Sequence, residues 1–298
     1  MHPRGDGSDS PSLMLRWSVR VTAKWRRLFP QAGPSTGKGA DMKKMTVLIL
    51  LIPASALAST PFDGTWKVNL DSIQVSGKPN VEEIKDGMYT CSSCVPSFTI
   101  KADGTDQQTP VHNLRDHMAI KIVSPTVVQY TEKKDGKVTS VSRLTVSGDG
   151  SKITQVFTNY TTDRPLTGEF TEKRVGPAAA GAHAVSGAWM QDSMPQFSEA
   201  ARLIVLQSTD NGLKMTWYGR VTDAKFDGKE YATQNDPDHT LVTLKKISDR
   251  QFEERDRREG QIFDIVMWTV SPDGKTITSV DEDPRHGTKT SMTLDKQS

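Results

Sequence analysis

The sequence predicts an all-β protein built as two tandem antiparallel up-and-down β-barrels of roughly eight strands each. Three observations lead there. Short runs that alternate apolar and polar residues recur between Gly, Pro, Asn and Asp turn residues along most of the chain. Long amphipathic helices are missing, so nothing could cross over between parallel strands and the connections must be hairpins. The chain also repeats itself. Leu144-Thr-Val-Ser-Gly-Asp-Gly-Ser-Lys-Ile-Thr154 returns as Trp268-Thr-Val-Ser-Pro-Asp-Gly-Lys-Thr-Ile-Thr278, an offset of 124 positions (144 to 268). The same slide sets Asp103-Gly104 on Asp227-Gly228 and Gly136 on Gly260, and a slide of 123 sets Gly64-Thr-Trp66 on Gly187-Ala-Trp189.

Residues 1–41, rich in Arg, Ser, Pro and Gly, match nothing that follows and read as a disordered tail. Met42-Lys-Lys-Met45 then leads into a short apolar run that ends at Ala56-Leu57-Ala58. A charged start, a brief apolar core and a small-x-small site form the grammar of a secretory signal peptide, residues 42–58, cleaved near Ala58. The run is too short for a comfortable membrane span, so no stable membrane anchor is expected. Translation starting at Met42 or Met45 would put this signal at the chain start. A cytoplasmic tail before an uncleaved anchor is the alternative. The expected compartment is periplasmic or extracellular.

Removing residues 1–58 reverses the charge. That segment holds nine of the 38 Lys and Arg and three of the 36 Asp and Glu, so +2 becomes 29 basic against 33 acidic residues, or −4. A mildly acidic, mixed surface argues against a nucleic-acid partner.

The first unit is assigned to residues 59–175. Phe62 to Asn69 opens it with a Gly, a Trp and an alternating strand, and Val75–Gly87 is turn-rich with at most one helical turn near Val81–Ile84. Strands follow at Phe98–Ala102, Ala119–Val123, Thr126–Tyr130, Val138–Val146, Ile153–Tyr160 and Thr167–Lys173. Lys133-Lys-Asp-Gly136 reads as a charged hairpin tip. Residues 176–184, small and marked by Gly and Pro, form a linker. The second unit, 185–298, repeats the pattern with a brief helix near Ser198–Ala201. The charge run Glu253-Glu-Arg-Asp-Arg-Arg-Glu259 stands near the first unit's hairpin tip and is read as a solvated hairpin end.

A Gly-x-Trp opening on the first strand of a small up-and-down barrel, here Gly64 and Trp66, then Gly187 and Trp189, resembles the lipocalin or calycin barrels. The Gly-Thr-Trp-Lys-x-Asn start and the Val-Ser-x-Asp-Gly-type hairpin are similar to those of exported bacterial proteins with a lipocalin-like domain. The resemblance covers 62–175 and 185–297. It implies a Trp packed across the closed barrel end beneath a late basic side chain of the same unit, with Lys173 or Arg174 the candidates in the first unit and Lys296 in the second. It also implies, by analogy of fold, capture of a ligand inside the barrel.

The chemistry-bearing residues are few. Cys91-Ser-Ser-Cys94, the only cysteines, read as a local disulfide in an exported chain, with redox work and metal binding as alternatives. His112-Asn-Leu-Arg-Asp-His117 groups two imidazoles with Asp116, a weak candidate for catalysis or zinc whose bland reading is a surface loop. Asp236-Pro-Asp-His239 and Asp281-Glu-Asp-Pro-Arg-His286 are acidic turns without the spacing of a calcium loop. No phosphate loop, nucleophile elbow or cofactor motif stands out, and no cofactor or metal is expected. Trp217, Tyr218, Tyr231, Phe252, Phe263 and Trp268 make the second unit the more aromatic. They are read as ordinary core or as the wall of a cavity for a small, largely apolar molecule. The expected function is therefore ligand capture in a barrel. The alternatives are a partner-binding envelope module with filled barrels, and a barrel enzyme using His112, Asp116 or His117.

Overall fold

Period-two alternation becomes twenty strands and one helical turn in the computed structural model, which describes residues 60–110, 115–162, 164–236 and 238–298. The tail and the signal-like segment lie outside the described residues. Strand β1 spans Gly64–Gly77. Then come β2 Asn80–Lys85, β3 Met88–Cys91, β4 Phe98–Lys101, β5 Gln107–Gln108 and β6 His117–Ser124. Next are β7 Val127–Lys134, β8 Lys137–Val146, β9 Lys152–Asn159, β10 Leu166–Gly176 and β11 Gly187–Phe197. The turn α1, Glu199–Arg202, precedes β12 Leu203–Thr209, β13 Gly212–Trp217, β14 Arg220–Lys225 and β15 Tyr231–Ala232. The chain ends with β16 Leu241–Ser248, β17 Gln251–Arg258, β18 Gln261–Val270, β19 Thr276–Asp283 and β20 Thr288–Lys296. The helical turn expected at Val81–Ile84 is the strand β2, because Glu82 and Ile84 both face a barrel interior at period two.

The strands form two antiparallel, nearly closed barrel-like sheets of ten strands each, rather than roughly eight. The extra strands are short: two-residue β5 and β15 stitch each circuit together. One sheet, barrel I, runs in the order β4-β3-β2-β11-β10-β9-β8-β7-β6-β5. The Gly104 amide donates to Ile120 O at 2.8 Å, joining its two ends. Barrel II runs β14-β13-β12-β1-β20-β19-β18-β17-β16-β15. There Val221 and Gln234 exchange amide hydrogen bonds at 3.2 and 2.8 Å across the seam.

This order cuts across the sequence repeat. Strand β1, the opening strand of the first unit, lies between β12 and β20 of the second. Strand β11, the opening strand of the second unit, lies between β10 and β2 of the first. The boundaries 59–175 and 185–298 describe the repeat but not the two sheets. Pro79 supplies a local reason. It lacks an amide donor and biases Lys78 towards extended backbone, so the two-residue link from β1 to β2 continues the chain instead of folding it into a tight hairpin.

The repeated hairpins form as expected. At both tips the Asp side chain ties the turn together. Asp149 Oδ1 accepts from the Ser151 amide at 3.0 Å and Asp273 Oδ1 from the Lys275 amide at 3.1 Å. Each barrel has its own apolar core, around Ile120, Leu144 and Trp189 in barrel I and around Trp66, Leu244 and Phe252 in barrel II. A third cluster, Phe157, Leu166, Phe170, Met194, Phe197 and Ala201 with Leu70, Ile73 and Tyr218, joins elements of both barrels. Burying a side chain of this size contributes about 1.5–3 kcal/mol.

Candidate functional site

The interior of barrel II follows from the alternation of its strands. In β17, Phe252, Glu254, Asp256 and Arg258 share the inner face, and Arg255 and Arg257 lie on the outer one. The reading of 253–259 as a solvated hairpin end is therefore corrected. Only Glu259 and Gly260 make the tip, both at positive φ, and half of the charge run faces the barrel lumen.

That lumen holds a cavity of about 240 Å³. Ile204, Met215, Val242, Trp268 and Leu294 supply apolar wall, and Glu254, Asp256, Asp264 and Asp281 supply carboxyl groups. Glu254 shares a hydrogen bond with Asp256, and Asp264 with Asp281. The β17–β18 register sets Asp256 opposite Asp264, so the two pairs adjoin. Trp268 Nε1 donates to Glu254 Oε2 at 2.8 Å.

Burial pushes the Glu254 carboxyl well above its usual range, and the Asp256 charge adds to this. Burial likewise raises Asp256 to about 7, against the pull of Arg258, and raises Asp264 and Asp281. Carboxyls this close cannot all ionise, so protons are shared between them. Asp256 Oδ1 and Asp264 Oδ1 have no hydrogen-bond partner among the described residues.

Arginines balance part of this charge. Arg220 Nη2 lies 3.1 Å from Asp236 Oδ1 and 3.8 Å from Asp238 Oδ2. Burial opposes ionisation of Asp236, but Arg220 and the Thr240 hydrogen bonds hold it below the usual carboxylate range. Arg258 Nε donates to Thr240 Oγ1 at 2.8 Å, and its guanidinium sits 4.1 Å from the Phe263 ring centroid.

Of the six aromatic residues expected at a cavity wall, Trp217, Phe263 and Trp268 line this one. Phe252 does not. It is fully buried, stacked on Trp268 with ring centroids 5.9 Å apart and packed edge-on against Phe62. Tyr231 packs against the core and donates to Asp227 Oδ2 at 3.0 Å. Tyr218 stacks on Trp217 and meets Phe197 in the cluster between the barrels. Barrel I also has a cavity, of about 460 Å³.

The Gly-x-Trp motifs begin β1 and β11 and set their tryptophans in the two barrel cores. Trp66 and Trp189 are fully buried, and their indole N–H groups donate to Phe62 O at 2.7 Å and Val185 O at 2.8 Å. Basic side chains cover both rings. Arg174 lies 4.0 Å from the Trp189 centroid and Lys296 5.0 Å from that of Trp66. A Cβ on Gly187 would come within 2.3 Å of Arg174 Nη1, and one on Gly64 within 2.9 Å of Lys296 Cε. The glycines make room for the covering cations. No family model, curated protein or solved structure matches this chain.

The remaining candidates carry no such arrangement. His112 lies outside the described residues. Asp116 Oδ1 meets His117 Nδ1 at 3.0 Å, but the His117 side chain is 44% exposed on the outside of barrel I. Asp116 Oδ2 accepts from the Asp135 amide at 2.8 Å, which gives this carboxylate a turn-holding role. Cys91 and Cys94 are bridged, with Cα atoms 5.4 Å apart. Among the described residues no cluster of His, Cys, Asp or Glu is arranged to hold a metal ion. Sequence reading missed Glu254, Asp256, Asp264 and Asp281. The available signal was the phase of the charge run: Glu254, Asp256 and Arg258 are in step with Phe252.

Proposed function

We propose that the chain is an exported small-molecule binding protein that holds its ligand in the lumen of barrel II. The observation that carries this reading is a cavity walled by Trp217, Trp268 and aliphatic side chains in which Asp256 Oδ1 and Asp264 Oδ1 have no partner. A buried, unpaired acceptor costs about 1–3 kcal/mol, more when it is charged, and a ligand donor would remove that cost. Within the small, largely apolar ligands expected from the aromatic residues, one with an amine or hydroxyl head fits this cavity better than one that is apolar throughout. The volume supports a compact ligand, since cavities of about 150 Å³ take benzene and drug-sized sites begin near 300 Å³. The signal-like segment 42–58 supports export, and the Gly-x-Trp ends with their covering cations support the lipocalin-like reading.

Native mass spectrometry of the chain purified from its own host tests this. A discrete added mass, released by gentle activation and reduced in the Asp256→Asn/Asp264→Asn variant, is expected. A bare chain mass, together with tryptophan fluorescence unmoved by extracts of the host, would overturn the reading in favour of filled barrels that meet a protein partner.

A further inference from the structure

The larger cavity lies in barrel I and reaches the β19–β20 hairpin of barrel II, so Arg285 and Thr288 line both cavities. Two carboxyl groups stand in it, Glu82 from β2 and Glu172 from β10. Tyr130 and Tyr89 donate to Glu82 Oε2 at 2.8 and 3.2 Å, which fixes the carboxyl in place. Glu82 Oε1 is buried and has no partner among the described residues. The Glu172 carboxyl, on a residue 8% exposed, makes no hydrogen bond or ion pair with any described residue. The Glu82 charge is felt at Glu172. Arg115, on the same wall, is already ion-paired with Glu132. Among the described residues no basic side chain forms an ion pair with Glu82 or Glu172, although Lys78 and Arg285 also line the cavity.

The hairpin supplies a third unpaired atom. His286 Nδ1 meets Asp283 Oδ2 at 2.8 Å, so the carboxylate holds the proton on Nδ1 and leaves Nε2 as an acceptor in the neutral ring. That Nε2 is buried without a partner among the described residues, and His286 lines the barrel I cavity. Three acceptors with no donor of their own, one of them contributed by the other barrel, surround a space also lined by Tyr89, Tyr130, Leu144, Phe170 and Trp189.

We propose that this cavity is a second binding site, distinct from that of barrel II, for an organic ammonium compound whose charged nitrogen lies between Glu82 and Glu172, its apolar body against the aromatic wall and a further donor at His286. An ammonium group has the donors needed to satisfy both carboxylates. Aromatic faces around it add attraction for a cation. Burial pushes Glu82 up to about 7 and Glu172 up to about 8, so protons neutralise the pair while the site is empty and leave when a cation takes their place.

Calorimetric titration of the full-length chain tests the site with three probes: methylammonium, cyclohexylammonium and 2-phenylethylammonium chlorides, each beside its neutral alcohol. Saturable binding of at least one amine, about tenfold or more tighter than its alcohol, is expected. Glu82→Gln and Glu172→Gln should each weaken that binding by about tenfold or more, and Arg255→Gln, on the outer face of β17, should not. His286→Ala should weaken only an amine with a second donor, added as 2-amino-1-phenylethanol. Gln keeps the size of Glu and can still accept from the two tyrosines, and a circular-dichroism melt confirms that each variant folds. Binding of no amine, equal binding of amine and alcohol, or binding that survives both glutamate changes would overturn the proposal. Loss confined to Asp256→Asn would place the amine in barrel II instead. None of these results bears on whether the barrel II cavity is occupied in the native host.

Discussion

Lys296, three residues from the end of the chain, lies with Nζ 5.0 Å from the ring centroid of Trp66, near the start of the first repeat. Arg174, at the end of the first repeat, covers Trp189 at the start of the second. Each basic residue thus covers the tryptophan of the other repeat. The pairing records the exchange of β1 and β11 between the barrels. Two repeats 124 positions apart present nearly the same strand, so either opening strand fits either barrel. This is the condition under which swapped elements are expected.

The exchange can be trapped chemically. Thr65 and Val205 are direct partners across β1 and β12. Antiparallel partners lie within the Cα separation that a disulfide accepts. The Thr65→Cys/Val205→Cys variant should therefore oxidise within one chain, with the linked peptides recovered by mass spectrometry after proteolysis. Failure of this bridge while Cys91–Cys94 forms normally would mean that β1 stays with its own repeat.

The two covering cations should differ in weight. Arg174 donates to Gly150 O, Ser186 O and Ala184 O at 2.7, 2.7 and 2.8 Å as well as capping the ring. Arg174→Met should cost about 1–3 kcal/mol, allowing for its partial exposure, because three carbonyls lose a charged donor. Lys296→Met removes only the ring contact and should cost less than about 1 kcal/mol. Urea melts of both variants compare them. Equal effects would mean that the arginine hydrogen bonds contribute nothing.

Stability should peak on the acid side of neutrality. Glu82 and Glu172 are raised by burial from 4.5 to about 7 and about 8, so the folded chain binds more protons than the unfolded one in that interval. Their contribution is complete below about pH 4.5 and is lost as pH rises through 7 and 8. Asp283 works the other way. Burial opposes its ionisation, but His286 and Arg285 hold it down at about 2, so its contribution is lost as pH falls from about 4 towards 2. The melting temperature should be highest near pH 5, and Glu82→Gln/Glu172→Gln should flatten its fall towards pH 8. An unchanged slope in that variant would refute the assignment.

The disulfide should matter little to the fold. Cys91 and Cys94 are three residues apart, and closing so short a loop restricts the unfolded chain by at most about 2 kcal/mol. Cys91→Ser/Cys94→Ser should remain folded, with a melting temperature only a few degrees lower. Loss of cooperative unfolding in this variant would show that the bridge holds more of barrel I than its own turn.

Much of the framework is legible in the sequence because it is local. Alternation placed most of the strands, Asp-Gly tips placed the hairpins, and Gly-x-Trp marked the start of both opening strands, since each signal involves residues a few positions apart. The site was not legible in the same way. A run such as Glu253 to Glu259 looks solvated by composition, and only its pairing with β18 shows that Glu254, Asp256 and Arg258 meet other charges inside the lumen.

By itself, then, the sequence determined an all-β chain of two related units, the positions of most of its turns, the Gly-x-Trp start of each opening strand and the single pair of cysteines. Tertiary structure alone decided which opening strand serves which barrel, because equivalent strands carry no local mark of their partner. It also decided that the barrel interiors are charged. A carboxyl group is tolerated in a lumen only when groups distant in sequence share its proton or balance its charge, and that condition exists only once the barrels have closed.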